Sequence, residues 1–325
     1  MKNILITGVT GQDGKYLVKK LIESKKFNIF GTTRTRDKLS KFQDDLNLIG
    51  VNSFQNLNIV QINLEKPSEV YDLINSINPS LVFNLSGPSS VYESLIDNTK
   101  TEKQIIKIFD NLTNALIKNE NFCNFFQASS SEMFAGNNKF PFDEYSKFLP
   151  NSPYGEAKLI CHNKVRDLNK KYNWKIVSGI MFNHESGFRT NQFLISKIID
   201  SANVIKEGSK HKLSLGSLDY VRDWLHASDM VDAIYEITLN PKSFSYVIGS
   251  GVGHSIRELV DFIFKHYDLE YVNFVVTDPT LLRTGDSQKI VSAPIKLKSE
   301  YSWKPKFNFE EMIIDIIKFK NNQLK

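Results

Sequence analysis

Apolar runs and helical stripes alternate through the first half of the chain. The segment NILITG (3–8) is a short apolar run closed by glycine and predicts a buried strand. From Asp13 to Ser24 the apolar residues Tyr16, Leu17, Leu21 and Ile22 recur at helical spacing. NIFGTT (28–33) and LNIVQI (57–62) read as the next strands. A helix over Ser68–Ile77, the strand LVFNLS (81–86) and a helix over 101–118 follow. FCNFFQAS (122–129), a helix over 155–172 and KIVSGIMF (175–182) complete the series. Such alternation predicts an α/β fold, a doubly wound parallel sheet with helices on both faces. Beyond residue 183 the regularity breaks into short strands and helices. SIREL (255–259) carries a capping box, Ser255 with Glu258. FNFEEMIIDIIKF (307–319) is amphipathic and predicts a final packed helix. The expected organisation is a nucleotide-binding domain over 1–182, with segments near 212–250 returning to it. A smaller substrate-binding lobe lies mainly in 183–325.

Composition narrows the class. The 325 residues can bury a substantial core, and 41% hydrophobic with 24% charged residues is ordinary for a globular chain. No apolar run approaches the ~18 residues of a membrane span. The start, MKNILITG, lacks the features of a signal peptide. Two cysteines, Cys123 and Cys161, give no disulfide framework and suit a reducing cytoplasm. The net charge of +5 is scattered. A nucleic-acid partner would ask for a basic stripe, and none is present. The balance suits an anionic small molecule.

The loop TGVTGQDG (7–14) follows the first strand and opens the first helix. Its glycines, Gly8, Gly11 and Gly14, permit a tight turn and the approach of backbone N–H groups to a pyrophosphate, with Thr10, Gln12 and Asp13 between them. This is a Rossmann-type cofactor site. After the second strand, where an NAD site carries an acid, the chain has Arg34 and Arg36 and no acid before Asp37. A guanidinium there pairs with a 2′-phosphate, so NADP is the expected cofactor. Asn63, after the third strand, is either an adenine contact or a turn residue. Leu64 and Leu85 are assigned to the same wall, and no metal is expected.

NSPYGEAK (151–158) spaces Tyr154 and Lys158 one helical turn apart. A lysine ammonium beside a phenol favours the phenolate and makes the tyrosine a usable base. QASSSEMF (127–134) ends the fifth strand in serines, with Ser130 facing the same pocket. The glycine loop, Ser130, Tyr154 and Lys158 stand in the chain order of the extended short-chain dehydrogenase/reductase superfamily, which the sequence resembles. Against that background Glu132 has a use. A ketone at C4 of a sugar acidifies the C5 proton, and a carboxylate two residues from Ser130 is placed to take it. A simple dehydrogenase or 4-epimerase needs no such base.

The stretches QASSSEMFAG, NSPYGEAKL, GIMFNHESGFR and VRDWLHASDMV resemble the GDP-mannose 4,6-dehydratase subfamily, over roughly residues 2–305. The resemblance implies catalytic roles for Ser130 (a threonine in the family), Glu132, Tyr154 and Lys158. It implies that Asn183, Lys197, Arg222 and Arg283 hold a nucleotide diphosphate. Ser89, Glu185 and Asp286 join them on the substrate side. The chain departs from the family at Gly187-Phe188-Arg189-Thr190, at RTGD (283–286) and at NLSGPSSV (84–91), which puts the hexose and the base in question more than the reaction type. The expected activity is therefore NADP-dependent 4,6-dehydration of GDP-mannose or a related GDP-sugar. Two alternatives stay open: an epimerase or 4-ketoreductase, with a GDP-heptose among its candidate substrates, and a catalytically silent NADP-binding regulator. The helices over 101–118 and 155–172 look more apolar than one sheet face requires. By the resemblance they pair across a two-fold axis, so a homodimer or homotetramer is expected.

Overall fold

A computed structural model describes residues 1–35, 37–88, 98–282 and 287–323. Seven strands form one fully parallel sheet. They are β1 (Lys2–Thr7), β2 (Phe27–Thr33), β3 (Leu57–Gln61), β4 (Leu81–Asn84), β5 (Asn124–Ser130), β6 (Ile176–Met181) and β10 (Ser245–Ile248). Their order across the sheet is β3-β2-β1-β4-β5-β6-β10. The direction of winding reverses between β1 and β4, so the loops leaving these two strands diverge and open a crevice at their carboxyl ends.

Both faces of the sheet are covered, as strands without a polar face require. On one side α1 (Gln12–Ser24) and α7 (Ala227–Leu239) share a core of Leu17, Val18, Leu21, Met230 and Ile234. On the other side lie α3 (Pro67–Ile77), α4 (Asn98–Lys118) and α5 (Pro153–Tyr172), packed through Leu73, Phe109, Leu112, Ala157 and Cys161. Helix ends follow local chemistry. Ser152 caps α5 by accepting from Gly155 N at 3.1 Å, Pro153 opens it, and Asn173 closes it in the left-handed conformation.

Several elements differ from the sequence expectation. A helix α2 (Leu39–Leu48) lies where none was expected. Its stripe is short, and one of its buried positions is Asp45, paired with Lys15 at 2.6 Å. The helix expected over 155–172 begins at Pro153, and the strand expected over 122–129 runs from Asn124 to Ser130. The stretch after 183 is more regular than its sequence suggests, with α6 (Leu194–Lys206) and α7 both thirteen residues long. The apolar surplus of α4 and α5 is taken up within the chain, because the two helices pack on each other and on the sheet. Their outward positions include Lys103, Lys107, Asn114, Glu156 and Asp167. The expected capping box is present: Ser255 accepts from Glu258 N and Glu258 from Ser255 N, opening α8 (Ile256–His266).

The remaining strands frame the crevice. β7 (Asn183–Glu185), β11 (Gly253–Ser255) and β13 (Lys289–Ile290) all pair with β9 (Val221–His226). β8 (Leu213–Leu215) pairs with β12 (Val275–Thr277). A third core, with Ile198, Trp224, Ile263, Phe264 and Ile316, joins α6, α8 and the final helix α10 (Phe309–Gln323), which follows the short α9 (Ile295–Tyr301). Asp223 on β9 ties the small sheet to the large one. Its buried carboxylate accepts from Ser250 N at 2.9 Å and Ser250 Oγ at 2.6 Å, just beyond β10. It also accepts from Gly251 N at 3.0 Å, Ser292 N at 3.1 Å and Ser292 Oγ. A charge this deep is stable only with its lone pairs filled, and here the donors come from segments far apart in the chain.

Candidate active site

The crevice is a cleft of about 1220 Å³. One wall is the glycine loop. Gly8 sits at φ +70, and a Cβ there would lie 2.9 Å from the Leu85 carbonyl oxygen. Only glycine meets both conditions. Gly11 occupies the cap position of α1 without a side chain to accept from the first-turn N–H groups, which leaves them turned to the cleft. A pyrophosphate is the ligand such a helix start fits, and the loop geometry therefore accommodates a dinucleotide. Thr10, Gln12, Asp13, Gly14, Asn63, Leu64 and Leu85 line the cleft, as expected. Asn63 also makes a local turn, its Oδ1 accepting from Glu65 N at 3.0 Å. At the ribose end Arg34, Thr35 and Lys38 stand beyond Thr33 on the wall.

The opposite wall carries Ser130, Glu132, Tyr154 and Lys158 together. β5 ends at Ser130, whose hydroxyl accepts from Glu132 N at 3.2 Å and starts the tight turn Ser131–Phe134. The adjoining Met133-Phe134 pair is fully buried. Phe134 stacks on Phe142 at 4.8 Å and on Phe148 at 5.0 Å, which anchors the turn behind the glutamate. α5 comes down on the same turn. A Cβ on Gly155 would lie 2.8 Å from the Glu132 carbonyl oxygen, so glycine lets the helix start touch the turn. Tyr154 and Lys158 are 8% and 5% exposed. The Lys158 ammonium donates to Ala128 O at 2.8 Å and lies 5.4 Å from the Tyr154 ring centroid. Beneath this wall a buried row links the strand ends: Thr7 Oγ1 donates to Asn84 Oδ1 at 2.7 Å, and Asn84 Nδ2 to Gln127 Oε1 at 2.7 Å.

On the substrate side Asn183, Glu185 and Arg222 line the cleft. Lys197 does not, and its ammonium donates to Ser214 O at 2.8 Å. Arg36, Ser89, Arg283 and Asp286 lie outside the described residues. Among the cleft residues missing from the sequence assignment are His184 and Arg189. Both sit in the quoted stretch GIMFNHESGFR, and Arg189 follows Glu185 by four residues, which was the available signal. Arg189 Nε is 3.7 Å from Glu185 Oε2, and both atoms are buried without a hydrogen-bond partner among the described residues. Burial pushes the Glu185 carboxyl up, against the pull of Arg189. Among the described residues no cluster of His, Cys, Asp and Glu could hold a metal, and no helix is long and apolar enough to cross a membrane.

His184 clasps the glycine loop. Its Nδ1 donates to Phe182 O at 2.8 Å and its Nε2 meets Asp13 Oδ2 at 3.1 Å. Gln12 Nε2 donates to His184 O at 3.2 Å, and Ser186 Oγ to Gln12 Oε1 at 2.7 Å. Burial opposes the charge on Asp13, but His184 and Arg189 beside it hold the carboxyl below its usual range. Burial likewise opposes charge on His184, and Asp13 more than offsets it, so the imidazole is raised above 6.5.

Residues 5–316 match the family model described as GDP-mannose 4,6 dehydratase. The chain is 31% identical to GDP-mannose 4,6 dehydratase of Drosophila melanogaster, over 98% of this chain and 85% of that protein. It is 30% identical to the Homo sapiens protein of the same name, over 96% and 90%. Among solved structures, UDP-glucose 4-epimerase of Thermotoga maritima superposes with a TM-score of 0.87 at 22% identity, over 99% of this chain and 100% of that one. dTDP-glucose 4,6-dehydratase of Bacillus anthracis, solved with NAD, gives 0.83 at 19%, over 99% and 97%.

The clasp carries a pH dependence. The lowered Asp13 contributes stability that is present above the ordinary aspartate value and lost as pH falls through its folded value. The raised His184 contributes stability that is complete below 6.5 and lost as pH rises through its own folded value. The clasp is thus strongest in mildly acidic solution. In an NMR titration of the histidine ring protons, His184 should titrate above 6.5 in the native chain. In Asp13→Asn burial and the Arg189 charge are opposed only by the bond to Phe182 O, and the midpoint should fall below the ordinary value. A native midpoint at or below 6.5 would show that the pair is not charged.

Proposed function

Because the chain belongs to the GDP-mannose 4,6-dehydratase family, we propose that it removes water from GDP-mannose to give the 4-keto-6-deoxy sugar, with NADP as cofactor. The observation that carries this reading is Glu132 on the cleft wall, on the turn after Ser130 and with its backbone against the helix of Tyr154. A nicotinamide held on the glycine-loop wall would supply the hydride acceptor for C4 and the donor for C6, so that no external reductant would be consumed. Tyr154 takes the proton of the C4 hydroxyl, and the Lys158 ammonium held by Ala128 O keeps a positive charge beside the phenol. The C4 ketone acidifies C5. Glu132 takes that proton, Ser130 or Glu132 supports departure of the C6 hydroxyl as water, and C5 regains a proton, exchangeable with solvent, when hydride is returned to C6. Arg222, Asn183 and Arg189 are the wall residues assigned to the diphosphates. Residues 1–182, with the segments near 212–250 that return to the main sheet, accordingly hold the cofactor, and the nucleotide sugar lies mainly against the rest of 183–325.

Arg34 and Lys38 at the ribose end, with no carboxylate between Thr33 and Thr35, support NADP over NAD. The homodimer or homotetramer rests on the resemblance, by which α4 and α5 pair across a two-fold axis. Two free cysteines support a cytoplasmic setting.

Four measurements test these assignments. Incubated with GDP-mannose, the native chain should yield a product lighter by one water, without added NADPH, and in D₂O the product should carry deuterium at C5. Glu132→Gln should keep cofactor binding while turnover falls ~10²–10⁴-fold, the usual worth of a positioned base. Near-normal dehydration by that variant, or consumption of external NADPH by the native chain, would move the ketoreductase or epimerase reading ahead. In calorimetry NADP⁺ should bind at least roughly tenfold tighter than NAD⁺, as a charge-assisted contact to phosphate implies. Equal affinities would sink the NADP assignment. By light scattering the mass should be that of two or four chains, and a single-chain mass overturns the assembly.

A further inference from the structure

A second polar chain reaches the cleft from behind the catalytic helix. His162 lies on α5 four residues after Lys158 and eight after Tyr154, on the same face. It is 3% exposed, packed edge-on to Phe148 at 5.0 Å and near Phe244 at 5.8 Å. Its Nδ1 is 2.8 Å from Ser178 Oγ on β6. Ser178 Oγ lies 2.9 Å from Ser129 Oγ on β5, within hydrogen-bond distance. Ser178 is wholly buried, whereas Ser129 lines the cleft immediately before Ser130. The chain thus crosses from helix to strand to strand and ends at the reaction pocket.

A hydroxyl has one proton to give. If Ser178 gives its proton to Ser129, then Nδ1 of His162 must donate to Ser178, and the Ser129 proton is left for the cleft. We infer that His162 is a positioning residue which, through Ser178, fixes the Ser129 hydroxyl as a hydrogen-bond donor facing the reacting sugar. A charged ring would still donate from Nδ1 but would be costly among these aromatic neighbours. Burial, helped by Arg166, pushes the imidazole down to about 4, so the ring is neutral in use and one tautomer sets the direction of the chain. No step of the proposed dehydration otherwise employs His162, Ser178 or Ser129. The inference rests on that reading for its kinetic arm alone.

Two experiments test it. The first is a ¹⁵N spectrum of histidine-labelled protein around neutral pH, with His162 assigned by the signal lost in His162→Asn. It should show a neutral ring protonated on Nδ1. A ring protonated on Nε2, or a charged ring, overturns the inference whatever the enzyme acts on. The second is kinetic. His162→Leu and Ser129→Ala should each lower kcat roughly fivefold to tenfold, the worth of one hydrogen bond, with KM unchanged. The double variant should be no slower than either single one, because both break the same chain. His162→Asn, whose amide nitrogen can stand in for Nδ1, should restore most of the rate. Additive losses, or loss through KM alone, would make His162 a packing residue. Should the chain dehydrate no nucleotide sugar, the proposed function fails and the spectrum still decides the inference.

Discussion

Everything in the cleft depends on how α5 lands on the turn after β5. Tyr154 and Lys158 come from the helix, Ser130 and Glu132 from the strand end. Two contacts fix one set against the other. The Gly155 backbone lies against the Glu132 carbonyl, and the Lys158 ammonium is bound to Ala128 O. The first sets the distance between helix and turn, and the second sets the rotation of the helix over the strand. A side chain at 155 would lift the helix start, and Tyr154 would leave with it. Precise placement of this kind is what positioned catalysis needs, since errors of about an ångström cost orders of magnitude in rate.

The turn itself is held from the core side. Met133 and Phe134 insert into a dry cluster with Phe142 and Ile180, so Glu132 is the polar residue of a segment otherwise committed to the core. Across the cleft, the wall beyond β6 is held by another means. β7 begins two residues after β6 ends and pairs with β9. β9 in turn is pinned to the loop beyond β10 by the Asp223 carboxylate. Asn183, Glu185 and Arg222 therefore hang on strands referenced to the main sheet, and the substrate wall stays in register with the cofactor wall.

How much of this was legible in the sequence varied with the kind of signal. Parallel strands buried on both faces leave continuous apolar runs, and a turn at φ +70 demands a glycine, so the sheet and the cofactor loop could be read directly. That Ser130, Tyr154 and Lys158 share one wall of the cleft was legible because Tyr154 and Lys158 have helical spacing and the serines end a strand. α2 was not, because its inner face is partly a buried ion pair, Lys15 with Asp45, which reads as surface charge. The resemblance implied a diphosphate role for Lys197, and no local pattern foretold that its ammonium would donate to the distant carbonyl of Ser214. The surplus on α4 and α5 needed the helix–helix contact itself to be seen. His184 and Arg189 sat in a recognised motif, yet their pairing with Asp13 and Glu185 joins positions that no local pattern connects.

The end of β5 and its surroundings divide donors from acceptors. Ser130 spends one lone pair on Glu132 N and keeps its proton for the cleft. In the polarity inferred for the His162 chain, Ser129 spends one lone pair on Ser178 and does likewise. Glu132 and Tyr154 are the groups able to take protons on the same wall. Elimination needs both at once: acceptors for the C4 hydroxyl and C5 protons, and donors where charge gathers on the C4 oxygen and on the departing hydroxyl. A reductase needs a proton donor at one oxygen only. Adjacent serines anchored through their acceptor sides, next to a carboxylate on a rigid turn, are more than that simpler task requires, and this surplus of fixed polar groups is the physical reason to read the cleft as a dehydratase site.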